Sequence, residues 1–589
     1  MFLKRRTRTK DGKTHAYYSV CESLRVSRDR VVQRQVLHLG ELNTTQLDSW
    51  QHSIDVLHED GQRRQLRLFT DRDQPAPHDP DVVEVKLSSF AVKSPRRFGD
   101  GWAATQLWED LGLHTFWRDA LAADAGDVPW DKVLELLVVN RLLAPRSELF
   151  VHEKWFPQSA MDVLLDTDAR IANKDRLYRC LDRLLVHQPA LEQHLAAQWQ
   201  DLFGATFDLL LYDLTSTYFE GDADAVPKAR RGYSRDHRPD CKQLVLALIV
   251  TPEGFPLAYE VLPGNTADKT TLRDFLEKIE AQYGKARRIW VMDRGIPTEE
   301  VLAEMRAAQP PVQYLVGTPK GRLSEYEQKL TGLPWHEVRE GVRVKLLPQG
   351  GEFYLLAESA DRVNKERAMR RRQWKWLWKR LQELQAMELP RDSLLLKLGA
   401  ARQQAPAAWR LIQLHLPPAG KPWSFQLRKN KLRQVRRREG RYLLRSNLSG
   451  QEPAQAWAFY LQLTQVEAAF KDLKDDLSLR PIHHQSEARI EAHIFVAFLA
   501  YCLHVSLRRR LRDLAPGLTS RAVLDKFASV LMLDVHLPTT DGRTVILTRS
   551  TQPSADVRLL LQRLKLELPA QPPPKITAPA AAGGAGGSL

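Results

Sequence analysis

Cysteine is scarce in this chain. The four residues, Cys21, Cys180, Cys241 and Cys502, stand far apart and none belongs to a CxxC pair. Such spacing argues against a zinc module or a disulfide framework and fits a reducing cytoplasm. Long apolar runs are missing too. No stretch of 18 uncharged apolar residues occurs, and the basic start MFLKRRTRTKDGK leads into no apolar signal core, so neither export nor membrane spanning is indicated. Gly317 and Gly321, in GTPKG, lack the Walker spacing, so no nucleotide hydrolysis is implied. Acid is in relative deficit: 72 Asp and Glu face 87 Lys and Arg, a net charge of +15. That balance favours a polyanionic partner. What is present, 43% hydrophobic and 27% charged residues over 589 positions, is globular in composition and too long for a single core.

The rhythm of the chain changes several times. Residues 1–100 read as short strands, with AYYSVCESLRV and RVVQRQVLHLGELN separated by a basic turn as in a hairpin, and SSFAVKSPRRFGDGW reads as a linker. Residues 101–204 carry apolar positions at helical spacing, as in WDKVLELLVVNRLL. From 205 to 317 the expected elements are FDLLLYD, the hairpin KQLVLALIV/FPLAYEVL, a helix over TTLRDFLEKIEAQYG, strand RRIWVMD, helix TEEVLAEMRAAQ and strand VQYLVGT. This βββαβαβ order predicts an α/β, ribonuclease-H-like core, a mixed five-stranded sheet with helices, to be completed by a later helix. Residues 318–445 interrupt it with a basic, β-rich insertion. The core resumes over 446–570, with PAQAWAFYLQLTQVEAAFKDLKDDL as one long amphipathic helix and EARIEAHIFVAFLAYCLHVSLRRRL as a core helix. Residues 571–589 read as a disordered end.

Three acids fall at telling places in this order. Asp213 closes the first strand-like run of the core, Asp293 closes the fourth, and Glu467 lies on the helix after the sheet. Singly, each has an ordinary reading: an Asp after a strand caps or turns the chain, and a helical Glu is solvated. Jointly they differ, because the first and fourth strands of such a sheet are neighbours. Two carboxylates side by side repel unless a cation bridges them, and three converging carboxylates can hold a pair of divalent ions against a phosphodiester. Tyr460, Leu463, Glu467, Lys471 and Lys474 are spaced to share one helical face. A basic group beside a metal-bound carboxylate would hold a phosphate in line, although Glu467 and Lys471 alone would make an ordinary surface pair.

These residues carry a resemblance. With LYDLTSTYFEG, VMDRGI, GRYLLRSN and LSLRPIHHQSEARIEAHIFVAFLAY, the chain resembles bacterial insertion-sequence transposases of the DDE class, in the group with a β-rich insertion before the catalytic glutamate. That group's signature is Tyr, Arg, Glu and Lys. Tyr460, Glu467 and Lys474 match it, and Leu463 stands at the Arg position. The resemblance implies catalysis by Asp213, Asp293 and Glu467 through two Mg²⁺ ions, with Mn²⁺ as substitute. It implies cleavage of terminal inverted repeats, joining of the 3′-OH to target DNA, a homodimer pairing two ends, and a cytoplasmic, nucleoid-associated protein. Lys474 and Tyr460 would position the scissile phosphate, with Lys471 or Arg480 replacing the missing Arg. Arg294 beside Asp293 would be a further DNA contact. A structure-specific nuclease and a catalytically silent DNA-binding derivative are the alternatives.

Counting locates the positive charge. Segments 362–380 and 428–445 each hold nine basic residues and one acid, so together they exceed the net charge of the whole chain. Arg370, Arg371, Arg372, Arg436, Arg437 and Arg438 are therefore candidate phosphate contacts. Trp374, Trp376 and Trp378 interleave the first run; two of the three are expected in a core, because Trp374 and Trp378 fall on a stripe with Leu377 and Leu381. Members of the resembling group receive a flipped base on an aromatic of the insertion, a role for Tyr442 or Trp423 here. His483 and His484 lack ligand spacing to a third group and read as a DNA-facing loop.

Overall fold

The computed structural model describes residues 2–10, 13–27, 30–41, 47, 83–122, 128–267, 271–284, 288–293, 296–318, 325–326, 329–330, 332–387, 389–417, 422–448 and 452–577. The chain divides into two compact units. In the first, β1 (Phe2–Lys10), β2 (Lys13–Ser27) and β3 (Arg30–Glu41) form an antiparallel meander in the order β1-β2-β3. The expected hairpin is its second half, with Val20 opposite Leu37.

The second unit holds the core. Its opening corrects one expectation: the supposed linker folds as β4 (Ala91–Arg97) followed directly by α1 (Gly99–Asp110), with Phe98 and Trp102 buried. Glycine there is a packing requirement and not a breaker, since a Cβ on Gly99 would sit 2.4 Å from the Phe527 carbonyl oxygen. Helices α2 (Trp130–Leu143) and α3 (Gln188–Phe203) follow. Trp199 of α3 donates its indole N–H to the Pro256 carbonyl at 3.1 Å, tying the helical region to the sheet.

The sheet is built on β5 (Leu209–Tyr218), β6 (Gln243–Val250), β7 (Pro256–Pro263), β8 (Ile289–Met292) and β9 (Gln313–Thr318), with α4 (Leu272–Tyr283) and α5 (Glu299–Ala307) between the later strands. The element order is the one expected. Spatially the strands run β7-β6-β5-β8-β9; β6 is antiparallel to both β5 and β7, and β5, β8 and β9 are mutually parallel. Every residue of β6 is buried, as its uninterrupted apolar run demands of a strand covered on both faces.

Five strands are not the whole sheet. From the segment expected as a separate insertion, β10 (His336–Arg339), β11 (Val342–Gln349), β12 (Glu352–Ser359) and β15 (Arg441–Ser446) join the edge of β9, making nine strands in the order β10-β11-β12-β15-β9-β8-β5-β6-β7. Nor is the remainder β-rich. It comprises α6 (Ala360–Ala386), α7 (Arg391–Gln404) and α8 (Lys429–Arg438), with one small hairpin, β13 (Ile412–His415) and β14 (Ser424–Leu427). These elements enclose their own core of Leu377, Leu381, Leu384, Leu394 and Leu398, against which Trp374 and Trp378 pack while Trp376 is exposed. The strands that give the segment its β character, β10, β11, β12 and β15, belong to the main sheet.

The long helix expected after the insertion is broken. Helix α9 (Pro453–Leu461) stops, α10 (Leu463–Lys471) starts after Gln462, and Asp472–Asp476 forms a π-helical turn. Helix α11 (Glu487–Leu514) packs on α2. Among the described residues it alone is long and apolar enough to cross a membrane, and 94% of its most apolar window is buried inside the protein, which makes it the core helix its sequence predicts.

Candidate active site

Strands β5 and β8 run side by side with Leu211 opposite Val291 and Tyr212 opposite Met292. One residue further along both come Asp213 and Asp293. Adjacent strands lie about 4.8 Å apart, so the two carboxylates leave the sheet as neighbours. Asp293 follows the end of its strand, as expected. Asp213 does not: β5 continues through Thr215, Ser216 and Thr217 to Tyr218, with Asp213 opposite Leu248 of β6. Those following residues are β-branched, aromatic or small, and they extend pairing on the β6 side after the β8 side has ended.

Glu467 lies on α10, which packs on β5. All three acids line one cavity of about 530 Å³, together with Tyr460, Leu463 and Thr464 on one wall and Arg339, Arg362, Lys365, Arg441 and Tyr442 on another. Burial pushes the Asp213 carboxyl up to about 7. The Leu214 N–H, donated to its Oδ1 at 2.8 Å, works against that shift. Asp293 and Glu467 raise it further, while Arg235 lowers it. Glu467 is likewise raised, by desolvation and then by Asp293, with Arg362 opposing. Clustered acids with elevated proton affinity are what a cation would relieve. The donors are all hard oxygens, which suits Mg²⁺ or Mn²⁺ rather than a soft metal.

The other expected contacts separate into groups. Tyr460 and Tyr442 line the cavity, their rings 6.2 Å apart and both against Trp457. Lys471 is exposed on α10. Lys474 is not on that face, because the π turn rotates it away. It is buried against Asp236 at 2.8 Å, which also pairs with Arg480; Arg480 reaches Asp475 at 3.0 Å as well. Lys474 and Arg480 thus anchor the loop between β5 and β6. Arg294 lies outside the described residues. Arg370 is tied to the buried Glu439, whereas Arg371, Arg372, Arg436 and Arg437 are exposed and Arg438 is half-buried. Trp423 packs against the core of the α6–α8 region, away from the acids. His483 is exposed, but His484 is half-buried, its Nε2 3.5 Å from Glu148 and its ring against His493. Arg141 donates to His493 Nδ1 at 3.2 Å, and a guanidinium inside that cluster makes it a poor cation site.

Sequence reasoning missed Arg235, Arg339, Arg362, Lys365 and Arg441. Arg362 and Lys365 were visible only as members of a charge run, and nothing in their spacing to Glu467 marks them. They reach the acids because β12 leads into α6 at the point where β15 lies beside β9.

The family described as Transposase DDE domain matches residues 206–503, and the N-terminal domain of IS1634 family transposases matches residues 3–70. A solved structure of piggyBac transposase, a synaptic complex with hairpin DNA, is similar with a TM-score of 0.35 and 9% identity, covering 74% of this chain and 81% of that one. No curated protein matches the chain.

Proposed function

The chain belongs to the transposases built on the DDE domain, and from that premise we propose that it cuts DNA at transposon ends and joins the freed 3′-OH to target DNA, with Asp213, Asp293 and Glu467 as its catalytic acids. One observation carries the reading: the parallel register of β5 and β8 brings Asp213 beside Asp293 on the cavity that Glu467 also lines. The strand order β7-β6-β5-β8-β9, with only β6 reversed between its neighbours, supports a ribonuclease-H-like core.

The three carboxylates would hold two Mg²⁺ ions, which when bound supply Lewis-acid activation of the attacking hydroxyl and charge neutralisation at the leaving oxygen. The protein's own groups do the positioning. Tyr460 orients the scissile phosphate, Lys474 and Arg480 fix the β5–β6 loop through Asp236, and Tyr442 offers a face for an unstacked base, consistent with cleavage through a hairpin on the transposon end. The exposed arginines of α6 and α8 neutralise flanking phosphates. Residues 1–204 bind the terminal inverted repeats, and two chains pair two ends as a homodimer.

The test uses a duplex ending in the inverted repeat that flanks the coding sequence, a supercoiled plasmid and Mg²⁺. Joined product is expected from the wild-type protein and none from Asp293→Asn. Nicks without joining would identify a structure-specific nuclease, and binding without cleavage a silent DNA-binding derivative. Full activity of Asp293→Asn would remove the carboxylate assignment itself.

A further inference from the structure

We propose that Arg362, at the start of α6, is the positioning residue that grips the scissile phosphate in the cavity that the three carboxylates line. The inference rests on the catalytic reading above and adds a residue to it.

Arg362 lines the same cavity as Asp213, Asp293 and Glu467. The wall on which Tyr460, Leu463 and Glu467 lie offers no cation at Leu463, which is buried and apolar. Arg362, lining the same cavity, supplies a cation. Divalent ions would satisfy the acids, and the arginine would remain for the substrate's own negative charge.

Arg362 is also held in a fixed pose. Its backbone N–H is donated to Ser359 Oγ at 3.4 Å, capping a 27-residue helix whose N-terminus itself favours an anion. Its Nε donates to Glu366 Oε1 at 3.0 Å, and Glu366 Oε2 in turn accepts the Gly440 N–H at 3.0 Å. Gly440 has φ +69°, and a Cβ there would fall 2.3 Å from Val363, so only glycine allows β15 to meet α6 this closely. The guanidinium carbon stands 5.9 Å from the centre of the Tyr442 ring. Among the described residues no second acceptor is hydrogen-bonded to its terminal nitrogens. A guanidinium fixed at Nε with both ends available matches the two non-bridging oxygens of a phosphodiester. Asp361 lines the cavity as well, but Lys365, one turn along, offsets it.

The experiment compares wild type, Arg362→Gln, Arg362→Lys and Asp293→Asn on the repeat-ended duplex, with either an ordinary or an uncharged methylphosphonate linkage at the scissile position. Affinity is read in Ca²⁺ without turnover, and single-turnover cleavage of the ordinary duplex in Mg²⁺. Arg362→Gln is expected to slow cleavage at least about tenfold, with Arg362→Lys recovering part of the loss and thermal melting unchanged. Removing the phosphate charge should weaken wild-type binding several-fold and weaken Arg362→Gln distinctly less, its remaining sensitivity coming from the divalent ions. If Arg362→Gln cleaves at the wild-type rate while Asp293→Asn is dead, the inference falls and the carboxylate reading stands. If Arg362→Gln is as sensitive to the methylphosphonate as wild type, its role is structural and the inference falls. If Asp293→Asn is active, the carboxylate reading falls first.

Discussion

Asp213 shows how a residue proposed for catalysis can cost stability. Its folded-state value is about 7 against an ordinary 3.8, chiefly through burial. Between those values the folded protein keeps a proton that the unfolded chain has released. Stability therefore falls as pH rises through that window, and above pH 7 the full penalty is present. Asparagine can still accept the Leu214 N–H but carries no charge. Asp213→Asn should stabilise the metal-free protein at pH 8 by roughly 2–4 kcal/mol, the gain shrinking toward zero near pH 4. Urea denaturation in chelator at both pH values measures this. Mg²⁺ should raise the melting temperature of wild type more at pH 8 than at pH 6, since binding requires the ionised acid, and should raise that of Asp213→Asn much less. A variant that gains no stability at pH 8 would mean that Asp213 is not held in a desolvated, acid-crowded place.

At the scale of elements, two lysines three residues apart are predicted to behave oppositely. Lys471 is exposed on α10, so Lys471→Ala should change stability by no more than about 0.5 kcal/mol. Lys474 shares the buried Asp236 with Arg480. Asp236→Ala leaves Lys474 without its carboxylate and Arg480 with Asp475 alone, and should cost about 3 kcal/mol, read as a shift in urea midpoint at constant slope. The contrast comes from the π turn at Asp472–Asp476, which ideal 3.6-residue spacing cannot anticipate. Other misreadings share that origin. Period and turn chemistry made β5 to β9 and the core helix α11 legible, and with them Asp213 beside Asp293. They could not reveal where β5 stops, because Thr215 to Tyr218 suits a strand whether or not β8 continues beside it. Nor could they show that Gly99 opens a packed helix, since the Phe527 carbonyl it fits against is distant in sequence. Arg362 was hidden for the same reason: its approach to Glu467 is made by the β12–β15 pairing, a long-range contact with no local signature.

For the whole molecule, the decisive quantity is where the positive charge is free to act. The two basic segments account for more than the net charge of the chain, but folding uses part of it internally. Arg445 is buried between Glu299 and Glu352, Arg441 reaches Glu358, and Arg370 is committed to Glu439. Arg371 and Arg372 on α6 and Arg436 and Arg437 on α8 remain exposed. Each such residue that neutralises a DNA phosphate releases condensed counterions and contributes about 0.9 to the slope of log affinity against log salt. Replacing these four with Gln should therefore flatten the slope by about 3–4 while leaving the thermal melt near wild type, as fluorescence anisotropy at several salt concentrations would record. Arg370→Gln should do the reverse, leaving the slope nearly unchanged and lowering stability, because Glu439 would keep its charge in a buried place without that partner. An unaltered slope in the fourfold variant would assign α6 and α8 to solvent and move the DNA path to another face of the protein.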